Sequence, residues 1–302
     1  MVLVEVHYKM AVDGTSQVEG QYIRGLDIDK TLKGFGKFDY VFRSDCLEST
    51  TSGDAIRWYS RTATDLTAVT PGRIANVASL ALPETLEGSI TRNTSYTRKY
   101  FAECFISLED INTADIDMLA QQLSWLTRAI AKEIDTRIWD IMTQSRVHPT
   151  NASTDINLVT ASGAWVDAAA DPIRDIMAAK LTIWVSGGYN PEGASLYLSP
   201  LANQHLCSWL IVKGALIPSY SSGLIGSNTI TRFLGLDVKV SENVTADYAA
   251  IMQKGAVTWK SQTGLTSNVT DNPGMGKRVR VWEVGEAILT DPKKVCLISN
   301  VD

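Results

Sequence analysis

One stripe of apolar side chains constrains this chain more than any other feature of it. From Ile116, apolar residues return at Leu119, Leu123, Leu126, Ile130, Ile134, Ile138 and Ile141, in steps of three and four. That period is one face of an α-helix, and neither glycine nor proline interrupts it. Asn112 or Thr113 can cap its start, and Asp115 and Asp117 lie in the first turn, where the helix dipole favours negative charge. The 26 residues from Ile116 to Ile141 span about 39 Å at roughly 1.5 Å per residue. A helix of that length outruns the core of a small domain. It reads as a spine to which the other elements attach.

Upstream, residues 1–40 mix short β-like pieces with Gly14, Gly20, Gly25, Gly34 and Gly36 and hold no period, which predicts an extended arm. Ala55–Tyr59 reads as a strand, and Tyr96–Ser107 as a longer one rich in aromatic and β-branched residues. Between them, Ser60–Arg92 is rich in Thr, Ala and Ser, with Pro71-Gly72 and Pro83 as breakers. So long a connection with little structure of its own is uncommon inside a compact domain and is usually functional. Downstream, Asp171-Pro172 is an N-cap followed by proline at the first helical position. Ile173, Ile176, Met177, Leu181 and Trp184 follow on one side, and Gly187-Gly188 ends the helix. Ser199-Pro200 repeats the signal before Leu201, His205 and Leu210, closed by Gly214, with Ala194–Leu198 as a short buried strand between the two helices. Strands are predicted over Leu236–Val240, Ala249–Met252, Ala256–Lys260, Lys277–Val284 and Val295–Ile298. Helices and strands do not alternate in regular βαβ order, so the class is α+β.

Composition narrows the function classes. With 28 Lys+Arg against 33 Asp+Glu the net charge is −5, and 45% of the 302 residues are hydrophobic. A disordered chain would be less apolar and more charged, and a dedicated nucleic-acid binder would carry a basic excess. Three histidines, His7, His148 and His205, leave little material for a histidine-rich metal or acid–base site. Cys46, Cys104, Cys207 and Cys296 are far apart with no Cys-x-x-Cys pair, which argues against zinc. Residues 1–10 lack the charged start, apolar run and cleavage site of a signal peptide. No apolar stretch approaches the roughly 18 residues of a membrane span. The expectation is a protein made in a cytoplasm, with free thiols and with its four Asn-x-Ser/Thr matches unused.

Each candidate for chemistry has a plain structural reading beside it. Asn272-Pro-Gly-Met-Gly-Lys277 looks faintly like a phosphate loop, but Arg278 follows where Ser/Thr is required and a strand follows where a helix is required, so it reads as a turn. Gly34-Phe-Gly36 reads as a turn as well. His205 and Cys207 are two apart, which on a helix turns them to different faces. His205 lies with Leu201 on the apolar side and reads as a satisfied core histidine. Asp110, Asp115 and Asp117 could suggest a metal cluster, yet capping and the helix dipole explain two of them. Arg57, Arg61, Arg73, Arg92 and Arg98 sit on the two strands and the long loop, and no lysine occurs between Lys37 and Lys99. They are either solvated loop charge or partners for carboxylates on a neighbouring copy, a role that planar, bidentate arginine suits better than lysine.

The order of elements resembles the Hong Kong 97-type major capsid protein of tailed viruses. Leu196-Tyr-Leu-Ser-Pro200 followed by a helix looks like that family's strand–proline–helix step. Phe233-Leu-Gly-Leu-Asp-Val-Lys-Val240 looks like its Gly-hydrophobic-Pro-Val-Val strand, with Asp237 where proline is common. Ala249–Met252, Val257–Trp259, Arg278–Leu289 and Asp291-Pro292 follow in the family's order. The resemblance covers Asp110–Asp302, extends weakly over Val41–Glu109 and hardly reaches residues 1–40.

It implies an N-terminal arm at 1–40 and an extended loop at 59–95 lying across a neighbour. It further implies a peripheral domain at 41–58, 96–150 and 270–302 with its spine helix at 112–144, and an axial domain at 151–269. It implies a non-enzymatic subunit with no catalytic, cofactor-binding or metal residues. Copies would assemble into pentamers and hexamers of an icosahedral shell around double-stranded DNA, held without sequence-specific binding. Assembly would take place in the host cytoplasm, with separate scaffold, portal and decoration proteins. Some members weld the loop to a neighbour through a lysine–asparagine bond. Asn272 could stand in the acceptor region, but a loop without lysine predicts no such cross-link. Two rivals remain, an encapsulin-type shell around protein cargo and a cytoplasmic hydrolase using Cys207 or His205 with a carboxylate.

Overall fold

The structure, a computed structural model, describes residues 40–61, 90–109, 116–143, 156–167, 169–213 and 230–302. The residues proposed as the arm, most of the loop and the cap of the spine helix lie outside them. The apolar stripe becomes α1 (Ile116–Thr143), 28 residues long and about 42 Å from end to end. Its buried side includes Leu123, Leu126, Ile130, Ile134 and Ile138, each 4% exposed or less. Ile141, predicted to continue the stripe, is half-buried, and Met142 takes the buried place.

The chain divides into two compact units, and α1 contributes to each. One contains Lys99–Ala131 and Thr263–Glu283; the other contains Tyr40–Arg98, Lys132–Gln262 and Val284–Asp302. Strands β1 (Leu47–Thr50), β2 (Ala55–Arg61), β3 (Ile90–Tyr96) and β4 (Arg98–Ser107) precede α1. Thr97 separates β3 from β4, so the single strand expected from Tyr96 is two strands with different partners.

In the first unit β4 lies along β11 (Gly276–Leu289), which returns from β10 (Val257–Asn272). The Asn272–Lys277 motif is the turn of this hairpin, with the Met275 N–H donating to the Asn272 carbonyl. Gly276 has a φ of 146°, and a Cβ there would collide with the Ile106 carbonyl oxygen, so only glycine fits where β4 passes the turn. β10 outruns its predicted span because the residues beyond Lys260 are polar, mostly half-exposed and carry no apolar run, while β11 runs on through the buried Gly285–Leu289.

The second unit is built on a six-stranded sheet in the order β5-β12-β9-β6-β8-β7. These strands are β5 (Asn157–Thr160), β6 (Ser195–Leu198), β7 (Arg232–Phe233), β8 (Leu236–Val240), β9 (Tyr248–Met252) and β12 (Val295–Ser299). β12 pairs in parallel with β5 and antiparallel with β9, and β6 pairs antiparallel with β9 and in parallel with β8. Central β6 is buried at every position, as a strand covered on both faces must be.

Two helices cap as expected. Asp171 accepts from the Arg174 N–H at the start of α2 (Pro172–Gly187), and Gly188 ends it in the left-handed conformation. Ser199 accepts from the Ala202 N–H at the start of α3 (Pro200–Val212). Their rotation about the helix axis differs from expectation. α2 turns Ile176, Ala179 and Ile183 to the core and leaves Met177, Leu181 and Trp184 57%, 63% and 57% exposed. α3 buries Ala202, Leu206 and Leu210, while Leu201 is 48% exposed and His205 half-exposed. The small Ala179 and Ala202 permit close approach to the sheet. The buried Asp175 fixes the rotation of α2, because its carboxylate accepts from the Ser162 N–H and hydroxyl and from the Trp165 indole N–H.

Candidate functional site

β2 and β3 form a two-stranded antiparallel ribbon in which Arg57 stands opposite Thr94 and Tyr59 opposite Arg92. Side chains alternate across such a ribbon, so the sequence Ala-Ile-Arg-Trp-Tyr gives it two unlike faces. On one, Ile56 is buried and the Trp58 indole N–H donates to the Leu289 carbonyl at 3.1 Å, tying the ribbon down. The other carries Arg57, Tyr59, Arg92 and Tyr96, with the two tyrosines 66% and 68% exposed. Arg57 and Arg92 have no ion-pair partner among the described residues. On this face exposed amphipathic rings stand beside guanidinium groups that have no ion-pair partner among the described residues.

The remaining loop arginines divide. Arg61 ends β2 and Arg73 falls in the loop; their side chains lie outside the described residues. Arg98 pairs inside the chain, its guanidinium 3.2 Å from Glu286, which Arg137 meets from another side at 2.8 Å. The Glu286 side chain is fully buried. Burial pushes its carboxyl above the ordinary value, against the pull of Arg137 and Arg98.

Two acidic anchors that sequence reasoning missed hold the start of the described chain. Asp135 on α1 accepts from the Val41, Phe42 and Arg43 N–H groups at 2.7, 3.4 and 3.3 Å. Burial raises its carboxyl to about 6, although those N–H groups favour the ionised form. Asp45, in the following 3₁₀ turn, accepts from the Tyr197 hydroxyl at 2.5 Å and from Lys239 at 2.7 Å. Burial pushes its carboxyl up, but the hydrogen bonds from Lys239 and Tyr197 and the Lys239 charge outweigh that and leave it below the ordinary value. Phe42, between them, is fully buried against Trp139 and Tyr197. The available signal was Asp135 itself, a carboxylate beside Ile134 in an otherwise apolar stripe.

The residues weighed for nucleophilic chemistry are not brought together. Cys207 faces the core, where burial raises its thiol, and its sulfur lies 4.0 Å from the Asn203 amide oxygen. The expectation that His205 is a satisfied core histidine fails, because its buried Nδ1 has no hydrogen-bond partner among the described residues. Asp110 and Asp115 lie outside the described residues, among which no group of three His, Cys, Asp or Glu gathers as metal ligands.

A family description, "Phage capsid protein", matches residues 99–298, two-thirds of the chain. The chain belongs to the phage capsid protein family. No curated protein sequence matches it. Among solved structures, this capsid protein resembles the virus-like particle from Pyrococcus furiosus, with a TM-score of 0.60 at 10% identity over 91% of this chain and 98% of that one. It resembles a solved structure of Mycobacterium phage Che8 with a TM-score of 0.59 at 16% identity over 86% and 91% of the two chains. The capsid of cyanophage P-SCSP1u gives a TM-score of 0.62 at 13% identity over 86% and 88%. The fold is Hong Kong 97-like. As a capsid protein it is a subunit of a multi-copy shell, and its place is the shell of the virion.

Proposed function

We propose that this capsid protein is the major subunit of an icosahedral shell around packaged double-stranded DNA, with the outer face of the β2–β3 ribbon as a contact between copies. The observation that carries the reading is that face, with Tyr59 and Tyr96 exposed and Arg57 and Arg92 unpaired among the described residues. Head-to-tail repetition of one contact closes rings of five and six, and rings tile a shell. The loop 59–95 reaches beyond its own subunit and adds buried area that a compact body could not offer. A net charge of −5 suits a lining that lets DNA move past, since each neutralised phosphate adds counterion-driven affinity. The role is structural, without turnover. Shells assemble in the host cytoplasm with separate scaffold and portal proteins.

The test is assembly. Expressed chain should sediment as closed particles, and particles purified from infected cells should protect double-stranded DNA from nuclease. A monomer at high concentration rejects the shell, and a protein cargo in place of DNA assigns the particle to the encapsulin-type reading. Replacing Arg57 and Arg92 together with alanine should lower particle yield about tenfold while the dissociated subunit unfolds as before. Unchanged yield removes the ribbon face from the contact.

A further inference from the structure

Glu286 of β11 stands where the spine helix α1 and the first residue of β4 meet. Arg137 of α1 holds one carboxylate oxygen, Oε1, with two donors, Nε and Nη2, each at 2.8 Å. The other oxygen, Oε2, is buried and accepts no hydrogen bond among the described residues. Arg98 faces it with Nε 3.2 Å away, and the Arg98 side chain is 58% exposed. The two arginines therefore hold one carboxylate in different ways. Arg137 is bound by directed hydrogen bonds, and Arg98 is held by charge. All three residues belong to the second unit. Glu283, a second buried acid of β11, is three positions away and stands on the opposite face of the strand.

A proton can add to Oε2 without displacing a hydrogen bond. The neutral carboxyl keeps Oε1 as its carbonyl oxygen, which still accepts from Arg137. Toward Arg98 it presents an O–H, a donor facing a guanidinium that offers only donors, and the charge that held Arg98 is gone. Burial raises this carboxyl, and the charges that oppose the rise are Arg137 and Arg98. Departure of Arg98 removes one of them and raises the carboxyl further, so proton uptake and release of Arg98 favour each other. The position of Arg98 extends the effect. It directly follows Thr97, whose N–H donates to the Asp54 carbonyl at 2.9 Å and closes the base of the β2–β3 ribbon. With Arg98 free, the ribbon is left with the Trp58–Leu289 hydrogen bond and the buried Ile56. We propose that Glu286 and Arg98 form a proton-released latch at the root of the ribbon, closed at neutral pH and opened in mild acid, with Arg137 retained in both states. Its bearing on assembly rests on the reading that the ribbon touches a neighbour, but the latch itself is a property of one subunit.

The experiment uses the full-length dissociated subunit. Amide hydrogen exchange, read by mass spectrometry over residues 55–59 and 92–98, compares wild type, Arg98→Met and Glu286→Gln at matched pH. Chemical exchange rates and the titration of Asp135 then enter all three alike. At pH 7.5 both variants should exchange about threefold faster than wild type over these residues, the size expected of a half-exposed ion pair. At pH 5 the wild type should have caught up, so that the ratio closes to about one. Strands β6 and β12 should exchange alike in all three proteins, which separates a freed ribbon from a loosened core. Arg98 is on the surface, so Arg98→Met decides the matter by itself where Glu286→Gln does not fold. A ratio near one at pH 7.5, a ratio as large at pH 5 as at pH 7.5, or equal acceleration of β6 and β12 overturns the latch. A subunit that passes this test yet forms no particles defeats the shell reading and leaves the latch standing.

Discussion

Asp135 interrupts the apolar face of α1, and its burial has a consequence that can be measured. Its folded value of about 6 lies above the ordinary 3.8, so the native state binds a proton that the unfolded chain releases. Stability must therefore rise as pH falls from 7 through 6 and fall again when pH is raised. Between pH 7 and pH 5 the gain is about 1 kcal/mol from this group. Urea unfolding of the dissociated subunit at the two pH values should show it in the wild type and lose it in Asp135→Asn. A gain of equal size in the variant would assign the pH dependence elsewhere. Asp45 has the opposite sign. Its lowered carboxyl contributes stability that is intact above about pH 4 and lost only in stronger acid.

At the scale of elements, α2 shows how a correct helix can be read with the wrong face inward. Both Ile176–Ala179–Ile183 and Met177–Leu181–Trp184 satisfy steps of three and four, so periodicity alone does not choose between them. The sequence groups Ile173 and Ile176 with Met177, Leu181 and Trp184 on one side; packing against β5 and β12 buries Ile176 with Ala179 and Ile183 and leaves Met177, Leu181 and Trp184 exposed. In the dissociated subunit Ile176→Ala should cost about 2–5 kcal/mol by leaving a cavity. Leu181→Ala should stay within about 0.5 kcal/mol, as an exposed position does. Chemical denaturation of the two variants decides which face is buried, and equal costs would contradict the orientation. The ends of α2 were legible because Asp171, Pro172 and Gly188 act through their own backbone geometry. Strand ends in the β10–β11 hairpin were not, since partners distant in sequence set them. Of the candidate site, the arginines could be found from sequence, but only pairing showed that Arg57 and Arg92 share a face while Arg98 turns to Glu286.

At the scale of the whole molecule, large parts of the chain serve neighbours rather than its own core in the proposed shell. The loop 59–95 contains no lysine, so it cannot donate the amine of a lysine–asparagine bond to another copy. Mature particles dissolved in hot denaturant should therefore run on a gel as the single chain, and a ladder of covalent multiples would contradict this. The scarcity of histidine, three residues in the chain, has a parallel sense, because a shell subunit needs surface and shape before it needs an acid–base site. The sequence by itself determined the spine helix, the two caps, the strand-rich tail and the order that resembles a capsid protein. These follow from periodicity and from residues that act on their own backbone. Only the tertiary structure decided which face of α2 is buried, where Asp135 and Asp45 fasten the start of the described chain, and which arginines are already paired. Those outcomes depend on groups tens to hundreds of residues apart meeting in space, and local propensity carries no information about that.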